Sequence, residues 1–477
     1  MEDIQNKAVI VVGLARSGVC AANLLAHLGA SVTVTDEKIP QELKTYLDKL
    51  DRGVRTALGG HPGKIFEHAD LIVVSPGVPL NIAPLKAALR RRIKIIGELE
   101  LAYQIILSQP LAHGLTAPKI LSVTGTNGKS TTVTLLFEML KKSGFRAALG
   151  GNIMNALTDE VLKAMKGEYP LSESILTADF IVVEASSFQL ETISEFRPEV
   201  ATVLNVTPDH MDRYPSIFDY IEAKSRIFMN QGVGNALILN ADDPATAALL
   251  DRGNRVWARN KRPEVLYFSR KKEVAGAYLK DGAVHFNLPG IAQSVSLNPE
   301  TFRIKGVHNI ENAMAASVMA LRAGCPPDAV ADTLESFPGL EHRLEFVCEI
   351  DGVKYINDSK GTNVGAVVKS LESFSEPIIL IAGGRDKDSD FTKLRSLVRD
   401  RVKALVLIGE AREKIRKALS DIKETFIEDD FKAAIEKAKN TASPGDVVLL
   451  SPACASFDMF EDFEDRGRQF KKAAMEL

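Results

Sequence analysis

Short apolar segments of β-forming residues alternate with helical patterns along the whole chain. The first segment, residues 8–12, is followed by a turn at Gly13 and then by apolar residues at helical spacing. Further strands are predicted at 31–35 and 71–75, each ended by polar or turn residues. Residues 1 to about 110 are therefore predicted to form one compact α/β domain.

A second series of strands begins after a linker predicted at 109–118, where prolines, a glycine and polar residues break the pattern. Its strands are predicted at 120–123, 180–183, 201–206 and 236–239. Strand-like alternation at 264–305 predicts a small β appendage, and an alanine-rich helix is predicted at about 309–322. This is the largest predicted α/β domain.

A third series follows the segment Phe337-Pro-Gly-Leu340. Its strands are predicted at 353–356, 377–382, 404–408 and 447–450. The length of 477 residues suits three such domains. Beyond this shared rhythm the sequence shows no internal repeat and no low-complexity tract.

Composition narrows the class of protein. The formal net charge of −3 is too small to indicate a nucleic-acid partner. The four cysteines are scattered, which fits a reducing cytosol. The N-terminus lacks the features of a signal peptide, and no apolar run approaches the roughly 18 residues of a membrane span. We expect a folded cytosolic protein.

The segment Thr124-Gly-Thr-Asn-Gly-Lys-Ser-Thr131 lies between a predicted strand and a predicted helix. Its glycines let backbone N–H groups turn inward, and a helix N-terminus favours anions. Lys129 can reach terminal phosphates, and Ser130 or Thr131 can offer a hydroxyl to Mg²⁺. An Asn-Gly hairpin is the alternative, but the helix that follows favours a phosphate site. The two glycines are closer together than in helicases and motors, which points away from those classes.

Two polar residues follow neighbouring strands of the central domain. Glu184 ends one strand, and His210 lies just after the next. Because ligands bind at the carboxyl ends of parallel strands, both should face one crevice. Glu184 supplies the hard oxygen that Mg²⁺ prefers, whereas histidine is an unusual ligand for it. Either residue alone could be a cap or a surface group, and the nearby phosphate loop favours a metal site.

Lys224 occupies an apolar stripe with Ile217, Tyr220 and Ile221. One interpretation is that its stem lies along the core while the ammonium reaches water. The other is a buried lysine, whose amine pKa falls. A neutral amine can add CO₂ to form a carbamate, an anionic ligand for Mg²⁺. The sequence leaves both interpretations open.

The segment Gly13-Leu-Ala-Arg-Ser-Gly18 follows a strand and opens a helix. Ala15 replaces the central glycine of the dinucleotide fingerprint, so an NAD site is not indicated. Asp36 ends the next strand, where an acid commonly contacts a ribose or base. A site for a nucleotide diphosphate and a purely structural turn both remain open.

Polar segments also follow three predicted strands of the third domain, and together they predict one crevice. They are Asn357-Asp-Ser-Lys-Gly-Thr362, Gly383-Gly-Arg-Asp-Lys387 and Ser451-Pro-Ala-Cys-Ala-Ser-Phe-Asp458. Lys360 and Lys387 suit a phosphate or a carboxylate, although each segment could be a capped loop. Cys454 has no activating partner in the sequence and is not expected to be a nucleophile.

Five motifs occur in order across the chain. They are 124–131, Glu184-Ala-Ser-Ser-Phe-Gln-Leu190, Asn205-Val-Thr-Pro-Asp-His-Met-Asp-Arg-Tyr-Pro215, Asn357-Asp-Ser-Lys360 and Leu450-Ser-Pro-Ala-Cys-Ala-Ser456. In this combination the chain resembles the muramyl ligase family. The resemblance implies an α/β protein of three domains. These are a Rossmann-like UDP-substrate-binding domain at 1–112, a central P-loop ATPase-like parallel-sheet domain with a small β appendage at 113–338, and a Rossmann-like amino-acid-binding domain at 339–477.

The resemblance also implies an ATP-dependent ligase for the bacterial cell wall. The carboxylate of UDP-N-acetylmuramoyl-L-alanine would attack the γ-phosphate of ATP, and the amine of D-glutamate would displace phosphate from the acyl phosphate. The expected cofactors are ATP, two Mg²⁺ ions and carbamylated Lys224. A cytoplasmic monomer is expected, with roles in cell shape and division through peptidoglycan precursor synthesis.

Two alternatives stay within ligase chemistry. One is a sister muramyl ligase for another amino acid, although the Asp-Asn-Pro-Arg motif of the diaminopimelate enzyme is absent from the sequence. The other is a folylpolyglutamate synthetase-like ligase, which matches the segment 451–456 poorly. A P-loop switch or motor and a dinucleotide oxidoreductase represent other classes.

The resemblance assigns site residues by position. Those expected to be catalytic are Lys129, Glu184, His210, Lys224 and Lys360. Those expected to bind ATP are Gly125, Thr126, Asn127, Gly128, Lys129, Ser130, Thr131, Asn309, Asn312, Arg343 and Asp358. Those expected to bind the UDP substrate are Ser17, Asp36, Glu37, Ser75, Gly77, Asn152 and His210. Those expected to bind D-glutamate are Thr362, Lys387, Ser456 and Phe463, and the expected metal ligands are Ser130, Glu184, His210 and carbamylated Lys224.

The chain departs from the family pattern at Ala15, Arg16 and Glu37, in the expected UDP site. Two insertions, around 110–118 and 157–174, touch no motif. Both are expected to be surface loops.

Overall fold

A computed structural model describes residues 4–109, 116–211, 213–257, 262–290, 296–386, 389–419, 421 and 423–477. The chain forms two compact units. The first comprises Met1–Phe302 and Ile310–Ser336, and the second comprises Arg303–Asn309 and Phe337–Leu477. The predicted class is confirmed, because three α/β domains with parallel-rich sheets are present. The predicted bounds of the three domains stay predictions.

The first unit begins with a five-stranded parallel sheet in the order β3-β2-β1-β4-β5. Its elements are β1 (Ala8–Val12), α1 (Arg16–His27), β2 (Ser31–Asp36), α2 (Lys44–Leu47), β3 (Arg55–Leu58), α3 (Gly63–Phe66), β4 (Leu71–Val74), α4 (Ala83–Arg90), β5 (Lys94–Gly97) and α5 (Glu98–Ser108). The three inner strands were predicted. The edge strands β3 and β5 were missed, because each begins with an exposed charged residue and is only partly buried.

A nine-stranded sheet follows in the same unit, in the order β14-β13-β12-β11-β10-β9-β6-β8-β7. Its strands are β6 (Lys119–Thr124), β7 (Ala147–Gly151), β8 (Phe180–Glu184), β9 (Val200–Val203), β10 (Ala236–Asn240), β11 (Glu264–Ser269), β12 (Gly276–Lys280), β13 (Ala283–Asn287) and β14 (Ser296–Leu297). All pairs are parallel except those of β13, which runs antiparallel to β12 and β14. The predicted β appendage therefore extends one edge of the central sheet.

Helices connect these strands. They are α6 (Lys129–Lys142), α7 (Leu157–Met165), α8 (Ser187–Leu190), α9 (Ile217–Ser225), α10 (Thr246–Val256), α11 (Val307–Ala323) and α12 (Pro327–Ser336), with a 3₁₀ turn at Arg226–Phe228. Strand β6 lies between β8 and β9, so the phosphate loop leaves the middle of the sheet. The strands β6 and β8 are almost wholly buried, as expected for a parallel sheet covered on both faces.

The prediction of a surface loop at 157–174 is wrong for its first half. Residues 157–165 form α7, which packs against α1 and α5. Thr158 donates from its backbone N and its Oγ1 to Glu98 Oε1, both at 2.8 Å. Leu157, Val161 and Leu162 are buried at helical spacing, a signal too short to stand out among the polar residues between them. Most of the other insertion, residues 110–115, lies outside the described residues.

The second unit contains a six-stranded sheet in the order β15-β16-β20-β17-β18-β19. Its strands are β15 (Glu345–Ile350), β16 (Val353–Asn357), β17 (Ile378–Gly383), β18 (Val402–Ile408), β19 (Glu424–Ile427) and β20 (Val447–Leu450). Its helices are α13 (Val364–Glu372), α14 (Arg395–Arg401), α15 (Arg412–Leu419), α16 (Phe431–Thr441) and α17 (Phe463–Met475), with a 3₁₀ turn at Phe391–Leu394. The pairs are parallel except β15 with β16. The four inner strands were predicted and the two edge strands were missed.

The inner strands bring the predicted polar segments to one edge of this sheet. Asn357 pairs with Leu450 at the ends of β16 and β20, and Ile381 of β17 pairs with the same leucine. Separate apolar cores cover the two faces of the sheet. In the described part of the chain, no helix is both long and apolar enough to cross a membrane.

Candidate functional site

The phosphate loop connects β6 to α6, so the hairpin alternative is excluded. Gly125 and Gly128 both have positive φ, at 155° and 86°. The left-handed conformation of Gly128 favours glycine, and a Cβ there would also lie 2.2 Å from Asn312 Oδ1. The backbone thus turns directly into the N-terminus of a 14-residue helix, which is the geometry that binds phosphate.

Asn205, directly after β9, holds this loop in place. Its backbone O accepts from Thr126 N at 2.9 Å, and its Oδ1 accepts from Asn127 N at 2.8 Å. Its Nδ2 donates to Asn127 O at 3.1 Å. Asn205 was not among the predicted site residues, although it opens the motif 205–215.

Lys129 and Lys224 converge on one carbonyl of the phosphate loop. Lys129 Nζ donates to Gly125 O and Thr126 O, both at 2.9 Å, and Lys224 Nζ donates to Gly125 O at 2.8 Å. Lys224 is only 1% exposed, and its Nζ lies 4.3 Å from the centroid of the Tyr220 ring. Of the two interpretations that the sequence left open, the structure confirms that of a buried lysine.

Burial lowers the pKa of Lys224 well below its ordinary value, and the positive charge of Lys129 lowers it further. The carboxylate of Asp209 acts in the opposite direction. Burial and the charge of Lys129 thus favour the neutral amine that reaction with CO₂ needs.

Glu184 ends β8 beside Val123 of β6, next to the phosphate loop. It is 2% exposed, and its Oε1 accepts from Asn152 Nδ2 at 2.7 Å. Its Oε2 is buried and has no hydrogen-bond partner among the described residues. Because a buried carboxylate oxygen is costly without a donor or a cation, this atom fits a bound Mg²⁺ ion.

His210 lies on the loop after β9 in a left-handed conformation, with φ of 55°. Its side chain is about half exposed, and its ring packs 4.8 Å from the centroid of Phe188 and 6.5 Å from that of Tyr220. Tyr220 in turn covers Lys224. The described residues contain no group of three or more His, Cys, Asp or Glu able to hold a metal. Only Glu184 and His210 of the predicted magnesium ligands are of these types. The other expected ligands are the Ser130 hydroxyl and a carbamate on Lys224.

Two of the residues predicted for the UDP substrate surround the turn at Gly13. Asp36 Oδ2 accepts from Leu14 N at 2.6 Å, and Ser75 Oγ donates to Gly13 O at 2.9 Å. A Cβ on Gly18 would lie 1.9 Å from Gly13 O, so the helix approaches the turn too closely for any other residue. The carboxyl ends of β1, β2 and β4 thus meet there.

The remaining predicted UDP contacts lie around this turn and in the central domain. Ser17 is in the first turn of α1, and Glu37 directly follows Asp36. Gly77 O accepts from Arg213 Nη1 at 3.4 Å, on the loop that carries His210. Asn152 follows β7 beside Glu184.

Arg16, the first residue of α1, connects the turn at Gly13 to the loop that carries Asn152. Its Nη2 donates to Asn155 Oδ1 at 2.9 Å and also contacts Met154 O. Arg16 and Arg213 were not predicted as site residues, but both connect the N-terminal sheet to the central site within the first unit.

In the second unit, Asp358 joins two of the polar segments. Its Oδ2 accepts from Ser370 Oγ at 2.6 Å and from Ser451 Oγ at 2.7 Å. Burial raises the pKa of Asp358, while these two hydroxyls and the charge of Arg343 oppose the shift. Arg343 Nε is itself buried with no hydrogen-bond partner among the described residues.

Three other residues predicted for the third domain, Lys360, Thr362 and Ser456, lie on the segments that follow β16 and β20 at one edge of its sheet. Lys360 Nζ sits 3.6 Å above the centroid of the Phe463 ring. Ser456 is buried and Thr362 is half-buried. Lys387 lies outside the described residues.

The two predicted asparagines near the start of α11 belong to different units. Asn312 Oδ1 accepts from Thr132 Oγ1 at 3.4 Å, beside the phosphate loop of the first unit. Asn309 belongs to the second unit, and its Nδ2 donates to Lys305 O at 2.8 Å.

Comparison with known proteins accounts for all three sheets. Sequence models of the Mur ligase MurD-like N-terminal domain, the Mur ligase middle domain and the Mur ligase glutamate ligase domain match residues 7–97, 123–320 and 342–454. A UDP-N-acetylmuramoylalanine--D-glutamate ligase of Pelotomaculum thermopropionicum is 44% identical over 481 residues, which cover 100% of this chain and 99% of that protein. The chain belongs to the Mur ligase family.

Other Mur ligases agree with this placement. A protein of the same name from Geotalea uraniireducens is 45% identical and covers 100% of this chain and 98% of its own. Among solved structures, the UDP-N-acetylmuramate-alanine ligase MurC of Thermotoga maritima has a TM-score of 0.59 at 18% identity, covering 99% of this chain and 100% of that one. At that identity the likeness shows the fold alone.

Cys454 of this Mur ligase is expected to be unreactive. It is 1% exposed, and burial together with the nearby Asp386 carboxylate raises the pKa of its thiol to about 12. The thiol is therefore protonated at pH 7.5 and a poor nucleophile. Iodoacetamide at that pH should leave Cys454 unmodified in the folded protein and modify it after denaturation, as read by peptide mass mapping. Modification of folded protein at the rate of a free thiol would contradict this.

Proposed function

We propose that this Mur ligase joins D-glutamate to UDP-N-acetylmuramoyl-L-alanine, with conversion of ATP to ADP and phosphate. The observation that carries the proposal is the meeting, at one carbonyl of a phosphate loop, of Lys129 and the buried Lys224, with the unpartnered Glu184 carboxylate oxygen on the neighbouring strand. Full-length relatives at 40–45% identity carry the name of this ligase. A role in peptidoglycan precursor synthesis follows from that chemistry.

The reaction needs two displacements. The substrate carboxylate attacks the γ-phosphorus of ATP, the bond to the bridging oxygen breaks, and ADP leaves. The amine of D-glutamate, after loss of a proton, then attacks the acyl carbon. An amide bond forms, and the bond from carbon to the phosphate oxygen breaks.

The ATP phosphates are proposed to lie on the loop 125–131. Its backbone N–H groups and the N-terminus of α6 attract the anion. Lys129 is proposed to exchange its hydrogen bonds to Gly125 O and Thr126 O for bonds to the phosphates. The remaining proposed ATP contacts are Asn309, Asn312, Arg343 and Asp358. Lys360 is proposed to approach the transferred phosphate.

Magnesium is proposed to be held by Glu184, His210, Ser130 and a carbamate on Lys224. The unpartnered Glu184 Oε2 is the atom that best fits a cation. When bound, Mg²⁺ would neutralise charge on the phosphates during transfer. The carbamate is proposed because a buried cationic lysine beside Lys129 would repel a metal, whereas an anionic carbamate would bind it.

The UDP substrate is proposed to contact the turn and strand ends of the first sheet. The proposed residues are Ser17, Asp36, Glu37, Ser75, Gly77, Asn152 and His210. D-glutamate is proposed to bind Thr362, Lys387, Ser456 and Phe463, where a cation and hydroxyls suit its second carboxylate. The protein is proposed to work as a monomer in the cytoplasm, with consequences for cell shape and division.

The two alternative ligases would need different substrates. A sister ligase would accept another amino acid, and a folylpolyglutamate synthetase-like ligase would accept a folate. Neither is favoured, because the full-length relatives at 40–45% identity share the D-glutamate ligase name. The solved Escherichia coli FolC, with a TM-score of 0.57 at 17% identity, shares the fold alone.

The decisive measurement is phosphate release by the purified protein with ATP and Mg²⁺. We expect release only when UDP-N-acetylmuramoyl-L-alanine and D-glutamate are both present, and mass spectrometry should show the amide product. Omitting either substrate, or replacing D-glutamate with L-glutamate, is the control. ATP hydrolysis that needs neither substrate would contradict the proposal.

A further inference from the structure

Arg466 is the largest completely buried side chain among the described residues, with 0% exposure. It projects from the first turns of α17 into the second unit. Its Nε donates to Ser359 Oγ at 2.9 Å, and its Nη2 donates to Ser359 O at 2.8 Å. Its Nη1 and Nη2 donate to Cys454 O at 3.3 and 3.4 Å. These acceptors are all neutral.

A buried guanidinium normally pairs with a carboxylate, because an uncompensated charge is costly inside a protein. Burial lowers the pKa of Arg466 to about 10, although the carboxylates of Asp458 and Asp358, which make no hydrogen bond to it, oppose this shift. The group is therefore still charged at neutral pH. Burial of this charge has a desolvation cost, and the hydrogen bonds of the guanidinium go to Ser359 and to the carbonyl of Cys454.

The two stretches are the polar segments that leave β16 and β20 at the same edge of the sheet. Ser359 belongs to the first and Cys454 to the second. Ser359 Oγ also donates to Phe463 O at 2.8 Å, which fastens the first residue of α17 to the same point. Arg466 and Ser359 thus tie three segments together.

Each of these segments carries one residue proposed to contact D-glutamate. Thr362 follows β16, Ser456 follows β20, and Phe463 begins α17. Other bonds join the first two segments, including Ser451 Oγ to Asp358 Oδ2 and Ala453 N to Gly361 O at 2.8 Å. Arg466 contacts both of these segments from the helix that carries Phe463.

We infer that Arg466 is a positioning residue for the amino-acid substrate, since it fixes the relative places of Thr362, Ser456 and Phe463. The inference rests on the proposed function. The planar fork of arginine reaches Ser359 and Cys454 at once, whereas a lysine ammonium is a point charge on a flexible stem and cannot hold both in one geometry.

Steady-state kinetics of Arg466→Lys tests this inference. We expect the KM for D-glutamate to rise about 10-fold, because small misplacements of binding groups have effects of this size or larger. The KM for UDP-N-acetylmuramoyl-L-alanine should stay within about 2-fold, because the residues proposed to bind that substrate all lie in the first unit.

Ser359→Ala provides a second, smaller variant, because it removes the hydroxyl between Arg466 Nε and Phe463 O. It should raise the D-glutamate KM selectively in the same direction. Arg395→Lys is the matched control. Arg395 also bonds to a carbonyl in the second unit, Ala418 O at 2.6 Å, but it touches none of the three segments, so its variant should keep the wild-type KM values.

A selective rise in the D-glutamate KM in either folded variant supports the inference. A uniform loss of kcat with unchanged KM values would show a merely structural role and overturn it, as would wild-type kinetics in both variants. If Arg466→Lys does not fold, the result for Ser359→Ala decides. A wild-type protein that does not respond to D-glutamate would instead count against the proposed function itself, and that measurement is made first.

Discussion

Lys224→Ala is expected to reduce ligase activity by about 10²–10³-fold, the size of effect seen when a preorganised charged group is lost from an active site. The buried amine lies on the phosphate loop through Gly125 O, and its loss removes the proposed carbamate ligand. Phosphate release with all three substrates is the measurement. Acetate or formate should restore part of the activity by occupying the space left by the carbamate.

The rescue separates this prediction from a simple packing defect. Lys163→Ala, which removes a lysine paired with Asp159 on α7, is the control and should keep its activity with or without added acid. Thermal unfolding of both variants checks that they fold. Full activity of Lys224→Ala without a carboxylic acid would eliminate the carbamate.

Glu184→Gln is expected to raise the Mg²⁺ concentration needed for half-maximal activity by about 10–100-fold. The substitution keeps an oxygen for Asn152 Nδ2 but removes the negative charge from the atom proposed to hold the cation. Without Mg²⁺ the variant should be at least as stable as the wild type, because a buried carboxylate oxygen with no donor is replaced by a neutral group. Magnesium titration and thermal unfolding measure the two effects.

A carboxylate elsewhere in the same sheet provides the comparison. Glu264 of β11 is paired with Arg322 at 2.7 Å, and Glu264→Gln should leave the magnesium dependence unchanged. An unchanged magnesium dependence in Glu184→Gln would remove Glu184 from the metal site.

Much of the fold could be predicted from apolar runs, because the inner strands of parallel sheets are buried on both faces and contain few polar residues. Edge strands do not obey this rule. Strand β3 begins with Arg55 and β5 with Lys94, and such segments resemble loops in a sequence. Helix α7 was missed for a related reason, because its three buried apolar residues lie among polar residues in the sequence.

The site residues also fall into those that the sequence could indicate and those that it could not. Lys224 could be suspected from the sequence because a charged residue interrupted an apolar stripe, and the structure buries it. Asn205 opens one of the motifs, but its role and that of Arg466 could not be predicted, because both depend on hydrogen bonds to segments far along the chain. Periodicity reports which face of an element is buried, and it contains no information about which distant backbone a side chain will meet.

The contact between Asn312 and the first turn of α6, beside the phosphate loop, has a consequence for the order in which the protein matures. The partner of Asn312 Oδ1, Thr132 Oγ1, is 180 residues earlier in the chain. At synthesis rates of 5–20 residues per second, roughly 10–40 s separate the two on the ribosome. The loop therefore leaves the ribosome well before the helix that backs Gly128 exists. Nucleotide binding should be among the last properties that the growing chain acquires, long after its first sheet can fold.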